Sequence, residues 1–276
     1  MDRIISVSSM AFDGYSLEQA LDELAALGVR FVEPASVDRV FQHLVEADFC
    51  EVRAAWLRDE MARRSLSCLS LSAHVDLTQT DSTDRFLRRL EFAHAIGARI
   101  VNTIAGPAGN LKGFQATIPA IAKRAADLGI VVALENHGDL VDRGRQIVEF
   151  VQAVGSPAIR ANYDTGNAWY YARGGLNPVE ELAEVAPVVA HVHLKAPRMD
   201  DGMMRWVALG EGVLDLPAVG RVLREHLPGV PVSIELSLRQ RSRDFEPRWR
   251  TPEFPSLPEI RGIITRSLLA LEGVLS

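Results

Sequence analysis

Strand-like and helical segments alternate along the 276 residues, and this alternation predicts an α/β protein folded as a single (β/α)8 TIM barrel. Eight β-prone segments are each followed by a segment whose apolar residues recur at helical spacing. No linker rich in Pro, Ser or Gly and no break in composition divides the chain. We therefore expect residues 1–276 to form one domain rather than two doubly wound halves, with a long loop at about 237–257 between the last strand and the last helix.

The predicted strands are short runs of β-prone or apolar residues. They lie at 4–8, 31–33, 67–74, 99–103, 131–135, 159–164, 188–194 and 230–236. Capping residues bound the helices, as where Ser16 opens the first helix and Gly28 closes it. The predicted helices run over 16–27, 49–64, 83–96, a stretch ending near 129, 145–154, 178–185, 216–227 and 258–271.

Charge and hydropathy argue against several classes of protein. A net charge of −6 provides no general attraction to nucleic acids or anionic membranes. No segment reaches the roughly 18 to 20 apolar residues of a membrane span, and the first residues contain no basic leader. Cys50 and Cys68 are too few for a disulfide framework or a thiolate metal cluster. These features predict a soluble, cytoplasmic protein that binds neither nucleic acid nor membranes.

Polar residues end nearly every predicted strand. In a TIM barrel the active site lies at the C-terminal ends of the strands. Seven of the eight predicted strands end in residues able to bind metals or transfer protons. They are Glu33, His74, Asn102, Glu135 with His137, Asp164, His193 with Lys195, and Glu235. One such residue alone is typical of a helix cap or a hydrogen-bonded core position, but the set predicts an active site.

Four of these residues, on strands five to eight, indicate a metal site. Adjacent strands lie only about 5 Å apart, so the side chains of Glu135, Asp164, His193 and Glu235 are expected to converge. Three buried carboxylates would repel one another and raise their pKa values, and a divalent ion removes that conflict. Oxygen-rich ligation with one imidazole favours Mn²⁺, Mg²⁺ or Co²⁺, with Zn²⁺ as an alternative.

Five motifs in order resemble those of the xylose isomerase-like TIM-barrel superfamily, and within it the sugar phosphate isomerase/epimerase branch. They are 134–139 (LENHGD), 162–167 (NYDTGN), 191–195 (HVHLK), 209–212 (LGEG) and 233–235 (SIE). The resemblance spans nearly the whole chain. It implies that Glu135, Asp164, His193 and Glu235 are the metal ligands, and that Glu135 and Glu235 are also the catalytic acid and base.

Two positions depart from the superfamily. Asn167 stands where a His often follows the strand-six Asp, and Ala196 stands where an Asp often follows the His-Leu-Lys run. The first departure argues against the trinuclear zinc site of the related abasic-site endonucleases. The second departure means that Ala196 cannot form the salt bridge or substrate contact that an Asp at this position often makes in the superfamily.

The expected function is divalent-metal-dependent isomerisation or epimerisation of a small keto-sugar or sugar derivative. A metal ion that binds a carbonyl and its neighbouring hydroxyl stabilises the enediolate formed when the adjacent carbon loses a proton. Return of the proton to the opposite face gives an epimer, and return to the neighbouring carbon gives an isomer. Loss of a β-hydroxyl would instead give a lyase of the inosose dehydratase type. An endonuclease-like hydrolase and a non-catalytic sugar-binding barrel are the further alternatives.

The residues predicted to bind the substrate, a small sugar-like molecule, surround the metal site. They are His74, His137, Asn167, Lys195 and Arg239. His137 and Lys195 share the faces of Glu135 and His193 by the two-residue period of a strand, although Lys195 pairing with Glu211 is an alternative. Four arginines follow strand eight, at 239, 241, 243 and 248. These arginines could bind a phosphate or carboxylate of the substrate, because guanidinium groups pair well with such anions. Alternatively, they belong to a loop that is solvated or contacts another subunit of a homo-oligomer.

Overall fold

Eight parallel strands close into a barrel in the computed structural model, which describes residues 3–276 and confirms the predicted fold class. Strands β2 and β3 each consist of two pieces. The strands are β1 (Ile5–Ser8), β2 (Phe31–Glu33 and Ala35–Val37), β3 (Ser67–Cys68 and Ser70–His74), β4 (Ile100–Thr103), β5 (Val131–Glu135), β6 (Ile159–Asp164), β7 (Val189–Leu194) and β8 (Val232–Ile234).

The pairing of the strands shows how the barrel closes. Strand β8 pairs in parallel with both β7 and β1, so the sheet has no open edge between its last and first strands. Between β2 and β3, Phe31 lies opposite Ser67, whereas Ala35 lies opposite Ser72. Strand β3 therefore contains one extra residue at the break near Leu69, as in a β-bulge.

Nine α-helices lie among residues 3–276, one more than the sequence predicts. They are α1 (Leu17–Ala26), α2 (Glu51–Arg63), α3 (Ser82–Ala95), α4 (Leu111–Leu128), α5 (Gly144–Val154), α6 (Thr165–Tyr171), α7 (Pro178–Val185), α8 (Leu216–Glu225) and α9 (Leu257–Leu275). The additional helix, α6, follows β6 without an intervening loop because Asp164 ends the strand and also caps the helix. None of these helices combines the length and apolar character that a membrane span requires.

A four-stranded antiparallel sheet, here called the cap sheet, replaces two segments expected to be loops. It consists of Ala196–Asp200, Met203–Val207, Gln240–Arg243 and Trp249–Arg250. Its first two strands form a hairpin through Asp201 and Gly202, both with positive φ, and this Asp-Gly pair is the sequence signal that predicts such a turn. The last two strands lie within 237–257, so the expected long loop is partly ordered by backbone pairing.

The main apolar core lies between the strands and the outer helices. In β5, Val132 and Leu134 are fully buried in this core together with helix residues such as Ile121 and Ile147. The alternation of side chains then turns Glu135 to the inside of the barrel. The apolar pattern that builds the core thus also aims the strand-end carboxylate at the barrel axis.

Candidate metal and acid–base site

The structure brings the four predicted metal ligands together. Glu135, Asp164, His193 and Glu235 are all buried, and one ligand atom from each lies within 4.8 Å of the others. They come from the ends of four neighbouring strands, β5 to β8, as the sequence predicts. The convergence follows from barrel closure and from the inward direction of each strand-end side chain.

The backbone of Asp164 is clamped by Asn136, the residue after Glu135. The Asn136 side chain accepts a hydrogen bond from the Asp164 N–H at 2.7 Å and donates to its carbonyl at 3.1 Å. Asp164 Oδ1 then accepts the N–H groups of Gly166 and Asn167, both at 2.8 Å, at the start of α6. Oδ2 accepts neither of these N–H groups and lies 2.7 Å from the ammonium nitrogen of Lys195.

The imidazole of His193 is oriented by Glu33, on the opposite side of the barrel. His193 Nε2 lies 2.9 Å from Glu33 Oε1, so Nδ1 faces Glu135 Oε2 at 2.9 Å and Glu235 Oε2 at 3.4 Å. Burial alone would raise the pKa of Glu33, but the charge and hydrogen bond of His193 lower it to about 2. Ser70, Asn102 and Ser233 also donate to this carboxylate. A fixed second carboxylate of this kind orients metal-binding histidines.

We expect the substitution Glu33→Gln to weaken Mn²⁺ binding by roughly 10- to 100-fold. The amide keeps the shape of the side chain but loses its charge, and its NH₂ group would face the donor from Asn102. Isothermal titration of Mn²⁺ into the folded variant measures the effect. Glu181→Gln, which changes a buried carboxylate within α7, is the control. An unchanged Mn²⁺ affinity would mean that Glu33 does not position the imidazole.

Lys195 supplies a buried positive charge to the same cluster. Its Nζ lies 2.7 Å from Asp164 Oδ2 and 2.5 Å from Glu235 Oε2, and not beside Glu211, which pairs with Arg266 instead. Burial alone would lower the pKa of Lys195, but the carboxylates of Asp164, Glu235 and Glu135 raise it. The lysine is therefore held as an ammonium among the carboxylates.

The donor set fits a divalent cation. Asp164 Oδ2 and Glu235 Oε2 are buried and lack a hydrogen bond of good geometry within residues 3–276, even with Lys195 close by. Burial and the charges of Glu135 and Glu235 raise the pKa of Asp164 to about 6, despite the opposing charge of Lys195. Three carboxylate oxygens and one imidazole nitrogen match the ligands that Mn²⁺ and Mg²⁺ prefer. The site thus has an excess of acidic groups that a divalent ion would relieve.

Two further histidines line the pocket above this cluster. His74 Nε2 lies 3.6 Å from Glu135 Oε2, and neither of its ring nitrogens has a hydrogen bond within residues 3–276. Burial lowers the pKa of His74, so its ring is neutral at pH 7. His137 is less buried and lies 3.3 Å from the hydroxyl of Tyr171. Gly138 allows that approach, because its φ is +69° and a Cβ there would collide with the Tyr171 ring.

Asn167 connects Glu135 to the arginine-rich segment after β8. Its Nδ2 donates to Glu135 Oε1 at 2.8 Å, and its Oδ1 accepts from Arg248 Nη1 at 3.1 Å. Arg239, the arginine predicted to bind substrate, lies elsewhere. Its guanidinium pairs with Asp13 and donates to the carbonyls of Thr251 and Pro252, and it does not line the pocket.

The pocket at these strand ends has a volume of about 720 Å³. Among its lining residues are Glu135, Glu235, His74, His137, Asn167 and Lys195, and Arg248 with Tyr171 at one side. A cavity of this size holds a small molecule. Four of the five predicted substrate residues therefore share one cavity with the two predicted acid–base residues.

Sequence reasoning did not assign a role to several polar side chains of the site. Asn162 donates to Glu135 Oε2 at 2.8 Å and lies 3.1 Å from His193 Nδ1. It precedes Asp164 by two residues, so the strand period was an available signal for it. The position of Tyr171 depends on α6 and that of Arg248 on the cap sheet, so the sequence could only group Arg248 with three other arginines able to bind a substrate phosphate or carboxylate.

The chain matches one protein family over most of its length. The sequence profile of the xylose isomerase-like TIM barrel family matches residues 21–253. A sequence search among curated proteins finds no match.

Several solved structures share the fold at low sequence identity. A D-psicose 3-epimerase with D-tagatose from Clostridium cellulolyticum H10 has a TM-score of 0.75 and 11% identity, and the match covers 99% of both chains. An L-ribulose 3-epimerase has a TM-score of 0.70 and 17% identity, with coverage of 99% of this chain and 96% of the other. The probable 3-DHS dehydratase AsbF from Bacillus anthracis has a TM-score of 0.71 and 16% identity over 98% of both chains.

Proposed function

Because the chain belongs to the xylose isomerase-like TIM barrel family, we propose that it is a divalent-metal-dependent isomerase or epimerase of a small keto-sugar or sugar derivative. The observation that carries the proposal is the convergence of Glu135, Asp164, His193 and Glu235 in one buried cluster at the floor of the pocket. The family alone fixes the fold, and these side chains supply the chemistry.

In this proposal Glu135 and Glu235 move the protons. A divalent ion held by the four residues would act as a Lewis acid on a substrate carbonyl, which makes the hydrogen on the adjacent carbon more acidic. Both carboxylates line the pocket, so one can accept that proton while the other returns a proton. Hydrogen bonds from Asn162 and Asn167 hold the Glu135 carboxylate in place. The two ring nitrogens of His74 have no hydrogen bond among the described residues, so this side chain is suited to bind a substrate oxygen.

The structural neighbours support both this reaction class and one alternative. Their names include sugar 3-epimerases and a probable 3-DHS dehydratase, each aligned over nearly the whole chain. The first step, removal of a proton next to a carbonyl, is common to epimerisation and to dehydration. We therefore retain a lyase of the dehydratase type as the second candidate on the same residues.

Solvent deuterium exchange tests the proposal. The protein with added Mn²⁺ is incubated with a panel of keto-sugars in D₂O, and the products are followed by NMR. We expect deuterium at the carbon next to the carbonyl of at least one sugar, and loss of this activity after chelation of the metal. Loss of water instead would assign the lyase alternative. Absence of exchange and of water loss across the panel, together with cleavage of an abasic-site duplex, would favour the endonuclease alternative.

A further inference from the structure

One half-buried arginine beside the candidate acid–base site has no ionic partner among the described residues. Arg248 lines the pocket and forms no ion pair among residues 3–276. The neighbouring Arg239 and Arg250 differ, because both pair with Asp13. In a protein with a net charge of −6, a free guanidinium directed into the substrate pocket needs an explanation.

The guanidinium of Arg248 is held in one position. Its Nη1 donates to Asn167 Oδ1 at 3.1 Å, its Nη2 donates to the hydroxyl of Tyr171 at 2.7 Å, and its Cζ lies 4.7 Å from the centre of the Tyr170 ring. The backbone is also fixed, because the next two residues, Trp249–Arg250, pair with Gln240 and Arg241 in the cap sheet. A fixed guanidinium loses little conformational entropy when it binds a ligand.

Donors remain available on this side chain. A guanidinium carries five N–H groups, and among residues 3–276 only two of the three nitrogens of Arg248 make hydrogen bonds. Nε makes none. The partners of Arg248 are the side-chain oxygens of Asn167 and Tyr171 and, at 3.4 Å from Nη2, the ring nitrogen Nε2 of His137. None of them carries a negative charge, so the positive charge of Arg248 is uncompensated and the group is ready to accept an anion from the pocket.

The location relates this charge to the reaction. Asn167 bridges the Arg248 guanidinium and the Glu135 carboxylate, since its side chain accepts a hydrogen bond from Arg248 and donates one to Glu135. An anion on Arg248 would therefore lie one side chain away from the proposed acid–base residue. Lys195 cannot serve the same purpose, because Asp164 and Glu235 already surround its ammonium.

We propose that Arg248 binds a carboxylate of the substrate, so that the sugar derivative on which the enzyme acts is an acid. This proposal rests on the proposed function and narrows its substrate class. A planar guanidinium pairs with a planar carboxylate through two parallel hydrogen bonds, and one positive charge matches one negative charge. A phosphate monoester carries about two negative charges at pH 7, and Arg248 alone would leave it only half neutralised. Arg39 and Arg173 also line the pocket, but both are exposed to solvent, whereas Arg248 is half-buried.

A matched set of three sugars tests the proposal. D-fructose, D-fructuronate and D-fructose 6-phosphate share the keto group and differ at carbon six. Isothermal titration of the Mn²⁺-loaded protein with each sugar gives the affinities. The variants are Arg248→Gln, Arg248→Lys, which keeps the charge but lacks the planar fork, and the control Arg243→Gln, which changes a cap-sheet arginine that does not line the pocket.

We expect the unmodified protein to bind D-fructuronate at least about tenfold more tightly than D-fructose. Arg248→Gln should weaken D-fructuronate binding by about 10- to 100-fold and have a much smaller effect on D-fructose binding, while Arg248→Lys should have an intermediate effect on D-fructuronate binding. Arg243→Gln should change neither affinity. All variants should keep the thermal midpoint and Mn²⁺ affinity of the unmodified protein, because Arg248 contacts no proposed metal ligand.

Other outcomes would overturn the proposal. No carboxylate subsite exists if the unmodified protein binds D-fructose and D-fructuronate equally tightly, or if it binds none of the three sugars. The same conclusion follows if Arg248→Gln weakens the binding of D-fructose and D-fructuronate equally. A preference for D-fructose 6-phosphate that disappears in Arg248→Gln would replace the carboxylate with a phosphate. Failure of the proposed function is distinct, because the unmodified protein would then lack Mn²⁺ binding or solvent exchange altogether.

Discussion

Replacement of Glu135 by Gln is expected to lower the rate of solvent deuterium exchange by roughly 10²- to 10⁴-fold, the contribution typical of a positioned acid or base. The amide cannot take a proton. It would also place an NH₂ group against the donors of Asn162 or Asn167, which now bind the two carboxylate oxygens. The rate should be measured by NMR at saturating Mn²⁺, so that weaker metal binding is not mistaken for loss of the base.

The fold of this variant should survive, because Glu135 lies at the end of β5 and not in the apolar core. Circular dichroism and the thermal midpoint check this point. Glu149→Gln, on the exposed side of α5, is the matched control and should keep full activity. Full activity in Glu135→Gln would remove this residue from the mechanism.

The substitution Lys195→Met is expected to lower the free energy of unfolding by about 3–5 kcal/mol when a chelator is present, as does the loss of one partner from a buried ion pair. Without the ammonium, Asp164 Oδ2 and Glu235 Oε2 lose their closest positive charge. Urea denaturation followed by circular dichroism measures the change. Saturating Mn²⁺ should recover much of the loss, because a divalent ion bound only to the folded state stabilises it.

Lys123→Met serves as the control for this experiment. Lys123 forms an exposed ion pair with Asp127 within α4, and such pairs contribute little. If Lys195→Met proved as stable as the unmodified protein in chelator, the three carboxylates would not depend on the lysine for neutralisation. If Mn²⁺ failed to raise the free energy of unfolding of Lys195→Met, the proposal that these carboxylates bind a metal ion would be contradicted.

The parts of the site on strands were predictable from the sequence. An apolar run that ends in Glu135 predicts a buried strand, and the two-residue period places His137 beside it. Barrel closure then brings the ends of β5 to β8 together, which is why Asp164, His193 and Glu235 meet Glu135 in the structure. The two-residue period of the strands and the closure of the barrel were therefore sufficient to predict that these four side chains converge.

The parts that depend on loops were not predictable. Arg239 and Arg248 belong to the same arginine-rich segment, and their sequence neighbourhoods give no reason to prefer one. The cap sheet decides between them: it directs Arg239 to Asp13 and Arg248 to Asn167 in the pocket. Its formation requires pairing between strands more than 30 residues apart, which no local pattern specifies.

Anomalous X-ray diffraction from crystals grown with Mn²⁺ tests whether the four converging residues bind one divalent ion. We expect one strong anomalous peak per chain, within coordination distance of Glu135, Asp164, His193 Nδ1 and Glu235, and no such peak in crystals of Asp164→Asn grown in the same way. A strong peak bound by other residues, or no peak from a protein that is active in solvent exchange, would contradict this expectation.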